Sequence, residues 1–444
     1  MPDSEQKDQS DFLSEKIKVK PVNKKKLLRK TIITAAMAVI FGLIACFTFL
    51  ILEPVFNNWL YPEEEPPLVV FPEDQEEMSP EEMLAENIPT ESPSPEPEQE
   101  GVVLEDEQIQ EILAEVTLDL ENYVELYSAL SAYVNRMNRY MVTVTAVTSN
   151  VDWFQNVQES RSLSSGVIIY NTGKELLILA DFSFLISAEQ LLLTFYNGTI
   201  VEAQLKQMDR ETGLAVLSVD LMDMPEEFIE DEFPVVPFGS SNGMNLVGTP
   251  VVALGSPMGI SNSMGYGMIT SSSGTLCMTD RNYRQLQTDI CGSRDASGML
   301  FNLKGQMLGV IMKSPTDSDM ANVIAAYSIS DLQNMVQKMS NASPVAYMGI
   351  TGGDVPREAH QQFGVPYGAY VEKVAMDSPA MRAGIQRGDV ITGMNDTAIS
   401  SYRLYSNALL EMVPDDAVEV VVMRQVQQGE YSEMSFHIEL GEGN

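Results

Sequence analysis

Histidine is the side chain best suited to accept and return a proton near neutral pH, and this chain of 444 residues holds two, His360 and His437. Residues 1–359 contain none, which limits general-base chemistry across most of the protein. Three cysteines, Cys46, Cys277 and Cys291, cannot build a Cys-rich zinc motif, and the histidines do not supplement them at ligand spacing. No metal and no cofactor is expected. The 63 acidic against 27 basic side chains give a net charge of -36, which repels phosphate backbones, and no Lys/Arg-rich face occurs beyond residue 30. Nucleic acid is not an expected partner. The length and a hydrophobic content of 44% allow two or three folded units with substantial cores.

The elements that must position any site follow from the pattern along the chain. Residues 1–30 form a basic tail in which Lys16, Lys18, Lys20, Lys24, Lys25, Lys26, Arg29 and Lys30 precede an uncharged, mostly apolar run, 31–52. At about 1.5 Å rise per residue that run spans about 33 Å, close to the hydrocarbon thickness of a bilayer. Glu53 and Glu63 to Glu65 flank its other side. The pattern predicts a single transmembrane helix with a cytoplasmic N-terminus and the rest of the chain extracytoplasmic. A cleaved signal peptide fits less well, because the run exceeds a typical signal core and no small-x-small site follows. Residues 53–107 read as an acidic, Pro-rich disordered stalk, with seventeen Asp/Glu, nine prolines and no Lys or Arg between Pro62 and Glu107. A spacer is the simplest role for it, and binding of cations or a basic partner is the alternative.

Residues 108–139 are predicted as an amphipathic helix. Ile109, Leu113, Val116, Leu120, Tyr123, Tyr127, Leu130, Val134 and Met137 alternate at spacings of four and three, the seam of a coiled coil. The flanking Glu111, Glu115, Glu121 and Glu125 have no lysine to pair with across such a seam, which favours a helix lying on the next domain. From about Tyr140 the period becomes two, over 141–147, 165–170, 175–179, 190–195 and 199–205, with turn signals at Asn171-Thr172-Gly173 and Asn197-Gly198. This predicts an all-β domain, closed or sandwiched.

Five segments in this region carry a resemblance: Ser165-Gly166-Val167-Ile168-Ile169, Gly213-Leu214-Ala215-Val216-Leu217, Ala253-Leu254-Gly255-Ser256-Pro257-Met258-Gly259, Leu286-Gln287-Thr288-Asp289 and Asn302-Leu303-Lys304-Gly305-Gln306. In order and spacing they resemble the HtrA/DegP family of trypsin-like serine proteases. The resemblance implies an all-β dominated fold, a trypsin-like double β-barrel over 140–343 followed by a PDZ domain over 344–444, assembled as a homo-oligomer, a trimer. A serine protease needs a hydroxyl nucleophile, an imidazole to take its proton, a carboxylate to orient the imidazole, and N–H groups for the oxyanion. Matched onto this chain, the histidine position falls on Ser183 and the aspartate position on Gly213. The serine position falls on Ser297, within Asp295-Ala296-Ser297-Gly298, but the glycine two residues earlier has become Asp295, whose charge opposes an oxyanion. The loop between Asp289 and Ser297 is also about one residue shorter than in the family. Lys174 and Lys304 fall in turns and are poor substitute bases.

The last hundred residues, with Tyr347-Met348-Gly349-Ile350, Gly368 to Val374, Ser378-Pro379 to Gly384-Ile385, and Gly388-Asp389-Val390-Ile391, resemble the PDZ domain of the same family. Helices are predicted at 328–340 and 401–412, a short one from Ser378-Pro379 to Gly384, and strands at 418–424 and 433–440. The resemblance implies that Tyr347, Met348, Gly349 and Ile350 bind a terminal carboxylate, with the 401–412 helix and Ile350 lining the pocket. Cys277 and Cys291 flank a hairpin whose symmetry about Asp280-Arg281 would set Cys277 opposite Arg284, and their pairing is left open.

The resulting expectation is a single-pass, extracytoplasmic pseudoprotease that binds unfolded polypeptides or partner C-termini. Two alternatives remain: an active serine endopeptidase using Ser297 in a rearranged site, and an oligomeric chaperone-like holdase.

Overall fold

The computed structural model describes residues 35, 37–39, 68–72, 120–151, 157–182, 188–225, 234–243, 246–313, 322–427 and 429–443. The chain divides into two units, residues 1–66 and 67–444. Of the first, only Ala35 and the residues 37–39 are described, and they are helical. The basic tail, nearly all of the predicted membrane span, most of the stalk and the first part of the predicted helix lie outside the described residues. Among the described residues no helix is long and apolar enough to cross a membrane.

In the second unit, helix α1 (Leu120–Met137) leads into twelve strands: β1 (Met141–Val151), β2 (Val157–Asn171), β3 (Glu175–Asp181), β4 (Gln190–Thr194), β5 (Ile200–Asp209), β6 (Leu214–Asp220), β7 (Pro250–Ser256), β8 (Ser263–Cys277), β9 (Asn282–Cys291), β10 (Ser297–Asn302), β11 (Met307–Ile311) and β12 (Val323–Ser328). They close into two six-stranded barrels, ordered β1-β2-β3-β6-β5-β4 and β10-β11-β12-β9-β8-β7. Val142, Val144 and Ala146 of β1 point into the first barrel by simple alternation. β3 lacks that alternation because both faces are buried: Leu176, Ile178 and Ala180 fill the barrel, while Leu177 and Leu179 join Val252, Leu254, Met299 and Phe301 between the barrels. Two cores and the interface between them are thus built from one set of strands.

Tyr133, Val134 and Met137 at the end of α1 are buried on this shared core, whereas Leu120, Tyr123, Val124 and Tyr127 are exposed. Helix α2 (Ile329–Ser340) packs Leu332, Met335, Val336 and Met339 on the same core. One part of the acidic segment read as a stalk is packed as well. Val69 and Phe71 are buried, their N–H groups donate to Asn341 Oδ1 (2.9 Å) and Gln337 Oε1 (3.1 Å), and Phe71 stacks on Phe238 with centroids 4.8 Å apart. The reason is local: Leu68-Val69-Val70-Phe71 is an apolar tetrad within a charged stretch, and α2 supplies side-chain amide acceptors for its backbone.

The C-terminal domain contains β13 (Ala346–Tyr347), β14 (Ile350–Asp354), α3 (Arg357–Phe363), β15 (Ala369–Val374), α4 (Pro379–Ala383), β16 (Val390–Met394), β17 (Thr397–Ala398), α5 (Tyr402–Glu411), β18 (Ala417–Gln427), β19 (Glu430–Glu439) and β20 (Gly441–Glu442). Its main sheet is ordered β14-β15-β16-β18-β19, with β17 on β16, and β13 pairs with β20. The ends of α4 are set as the sequence requires: Ser378 Oγ accepts from the Met381 N–H (3.1 Å), and Gly384 closes the helix at φ +98°.

Candidate functional site

The cleft between the barrels is the first place to look for chemistry. A cavity of about 300 Å³ there is lined by Asp181, Phe182, the β5–β6 turn 209–214, Ile311 to Lys313 and Tyr327. Ser183 lies outside the described residues. Gly213 lines the cavity at φ +73°, its N–H donates to the Asp209 carbonyl (2.9 Å) and its carbonyl accepts from the Phe182 N–H (2.7 Å). The fold therefore brings Phe182, the residue before 183, onto Gly213.

Ser297 opens β10 and is 3% exposed. Its hydroxyl donates to Ser165 Oγ and accepts from the Ser165 N–H, both at 3.2 Å, and Ser165 Oγ is 3.0 Å from Ser256 Oγ. Among the described residues, three buried hydroxyls make up this network. In the sheet Ser297 pairs with Ser256 and Gly298 with Gly255. Ahead of it, the Ala296 N–H donates to the Ser293 carbonyl (3.1 Å) and the Asp295 N–H to Ser293 Oγ (3.3 Å). These donors serve their own turn rather than a site for an oxyanion.

Other groups in the cleft are engaged. Asp209 accepts from Thr212 Oγ1 (2.7 Å) and pairs with Arg281 Nη2 (3.3 Å), which also lies 3.7 Å from Glu211. Burial pushes the Tyr327 hydroxyl up to about 12, and burial lowers the Lys313 ammonium against the opposing charges of Asp181 and Asp295. Among the described residues no group of three His, Cys, Asp or Glu side chains is gathered to hold a metal ion.

The second site is the loop before β14. The N–H groups of Met348 and Gly349 donate to one carboxylate oxygen of Asp280 and that of Ile350 to the other, all at 2.8 Å, while Tyr405 of α5 donates its hydroxyl at 2.6 Å. Three of the four residues expected to bind a terminal carboxylate here hold an internal one, that of Asp280. The fourth, Tyr347, pairs with Gly441 and places its hydroxyl beside Gly349. Gly349 is required: its φ is +91°, and a Cβ there would lie 2.3 Å from Ser378 Cβ. The loop is held from behind by the Ala375 N–H on the Gly349 carbonyl (2.9 Å) and the Ala380 N–H on the Met348 carbonyl (3.0 Å).

Asp280 belongs to the β8–β9 turn, is 4% exposed and has φ +63°. Burial raises its carboxyl pKa, opposed by the Tyr405 hydroxyl and the three N–H groups. The Tyr405 hydroxyl is pushed far up by burial and by the Asp280 charge. Neither Asp280 nor Tyr405 was marked by the sequence motif. The only local signal is an aspartate in a tight turn, where αL backbone suits Asp, Asn or Gly. The register also differs from the symmetric hairpin anticipated: Cys277 faces Asn282 rather than Arg284, Cys291 faces Val323, and both thiols are free.

Comparison with known proteins agrees with this architecture. Residues 164–310 match the trypsin-like peptidase domain model and residues 308–435 the PDZ domain model. The latter match starts in β11, whereas the folded PDZ unit begins only at β13, after α2. A probable periplasmic serine endoprotease DegP-like of Halomonas elongata is 29% identical over 273 residues, 60% of this chain and 55% of the relative. A probable periplasmic serine protease do/HhoA-like of Haemophilus influenzae is 29% identical over 252 residues, 54% of this chain and 51% of the relative. The chain therefore spans about half the length of the curated relatives it matches. The solved structure of the HtrA-type protease AlgW with decapeptide covers 70% of this chain and 98% of its own, with a TM-score of 0.50 and 21% identity, a likeness of fold. Barrel pairing, domain order and sequence likeness converge on one description: the chain carries a trypsin-like peptidase domain followed by a PDZ domain, an HtrA/DegP-like arrangement.

Proposed function

We propose that this protein works by binding rather than by cleavage: an HtrA-like pseudoprotease, anchored in a membrane by residues 31–52, whose extracytoplasmic PDZ domain captures unfolded polypeptides or partner C-termini. The observation that carries the reading is the 348–350 loop, whose three N–H groups converge on a single carboxylate. The absence of histidine from residues 1–359, glycine at 213 and the burial of Ser297 among serines support the non-cleaving half. The periplasmic naming of the relatives supports the extracytoplasmic half. The exposed Leu120, Tyr123, Val124, Leu126 and Tyr127 of α1 support assembly as a homo-oligomer, a trimer on the family pattern.

The relatives' naming as serine endoproteases favours a second reading, an active endopeptidase built on Ser297, with Lys313 as the one burial-lowered amine at the cleft. The full-length protein should neither cleave unfolded casein nor react with a serine-directed fluorophosphonate. Labelling of Ser297 that vanishes in Ser297→Ala would establish the second reading instead. Alkaline extraction tests the anchor: the protein should stay with the membrane pellet, and its release would remove the anchor from the proposal.

A further inference from the structure

The peptide-binding edge of the PDZ sheet is already occupied. Among the described residues β14 is the first strand of its sheet and pairs only with β15, so its second edge, beside α5, is open to another strand. The β8–β9 turn of the second barrel reaches into that edge. The Asp280 N–H donates to the Ile350 carbonyl (2.6 Å), Asn282 Nδ2 donates to the Gly352 carbonyl (2.9 Å), and Ser406 Oγ of α5 donates to the Asp280 carbonyl (2.6 Å). The two β14 acceptors are two residues apart and so share one edge. With the Asp280 carboxylate in the 348–350 loop, the turn meets the features by which an extended C-terminal peptide is held: N–H groups for a carboxylate, the edge of β14, and the flanking helix α5.

A contact needed only to pack two domains would be made more cheaply by apolar side chains, since a buried carboxylate must be fully hydrogen-bonded to be tolerated. Here it is: four donors surround it, and the αL backbone of Asp280 aims it. Resting on the C-terminus-binding reading above, we infer that Asp280 is an internal ligand of the carboxylate loop, a built-in competitor that an incoming C-terminal peptide must displace. The carboxylate sits one bond further from its own N–H than a terminal carboxylate does, so the turn imitates a C-terminus without being one. When the closed form holds more than about nine-tenths of the population, apparent peptide affinity falls about tenfold or more below that of the open site.

The test uses the full-length chain and two variants, Asp280→Gly, which keeps the αL turn, and Asp280→Asn, which keeps its shape but turns an amide NH2 toward donors where the carboxylate has an acceptor oxygen. Binding is measured to an immobilised pool of random-sequence decapeptides with free C-termini and to the same pool amidated. The expected result is binding at least about tenfold tighter to Asp280→Gly than to the unaltered chain, lost on amidation, with Asp280→Asn between. Equal affinities that still depend on the free carboxylate would overturn the internal ligand and leave the peptide-binding reading intact. Absence of carboxylate-dependent binding in all three proteins would overturn both. Hydrogen exchange without peptide gives an independent readout: the N–H groups of Met348, Gly349 and Ile350 should exchange faster in Asp280→Gly. Unchanged protection there, with an intact thermal transition, also refutes the assignment.

Discussion

Ser297→Ala separates a structural serine from a catalytic one by the sign of a stability change. In the native barrel the Ser297 hydroxyl accepts from the Ser165 N–H and donates to Ser165 Oγ, both at 3.2 Å, in a site where all three serines of the cluster are buried. Alanine leaves that N–H without this acceptor, and a buried donor left unmatched costs about 1–3 kcal/mol. Ser165 Oγ keeps its contact with Ser256 at 3.0 Å, so the expected loss is at the lower end, about 1–2 kcal/mol. For a domain of this size that lowers Tm by about 2–8 °C. A residue retained for catalysis behaves oppositely, because replacing an active-site group commonly leaves stability unchanged or raises it. Calorimetry of the full-length protein, its Ser297→Ala and Ser165→Ala variants and the double variant would give the single losses and a coupling of about 1 kcal/mol between the two sites. A Ser297→Ala protein as stable as the parent, with no coupling to Ser165, would refute the structural role assigned to this hydroxyl.

Three further outcomes are expected. Arg424 grips Asp389, 1% exposed, through Nε and Nη2, each at 2.7 Å, so Arg424→Ala should cost the PDZ domain about 3 kcal/mol and Arg424→Lys less; an unchanged PDZ melting transition would contradict this. Phe71→Ala should remove about 3 kcal/mol of packing and speed proteolysis near residues 68–72, and unaltered cleavage rates would show that the segment is not held by its aromatic stack. The third concerns pH. The Asp280 carboxyl is raised above an exposed aspartate, so the docked turn binds protons more tightly than the free one and docking is favoured as pH falls toward the raised pKa and weakened as pH climbs through it. The neighbouring Tyr347, Tyr402 and Tyr405 are raised by burial and stay neutral, and Arg281 stays charged. Protection of the 348–350 amides, corrected for intrinsic rates, should therefore fall as pH is raised above the range of an ordinary aspartate, and a rise in protection would refute the assignment.

The strands were legible from apolar and β-branched runs bounded by turn signals, both where burial alternates, as in β1, and where both faces are buried, as in β3. The period-two run expected at 141–147 lies within β1, and the runs at 165–170 and 175–179 lie within β2 and β3. The turn glycines and the Ser378/Gly384 helix signals fell where expected because their preference is local and does not depend on partners. The packed tetrad at 68–71 was hidden inside a stretch whose composition reads as unfolded, since composition averages over the few residues that matter. The β8–β9 turn was misplaced because a one-residue change in turn position moves every facing pair by two, and nothing in the turn itself selects among registers.

Some properties of this protein needed no coordinates. The absence of histidine over residues 1–359 limits proton transfer whatever the fold, and the glycine at 349 lets the backbone come close to a ligand. Tertiary structure alone decided the rest: that Ser297 is buried against Ser165 in a cluster with Ser256, and that the carboxylate in the 348–350 loop comes from Asp280, 68 residues before Met348. Local preferences act through neighbouring residues and are written in short patterns. The side chain that fills a distant pocket depends on loop lengths, strand registers and domain docking together, and these are fixed only when the whole unit packs.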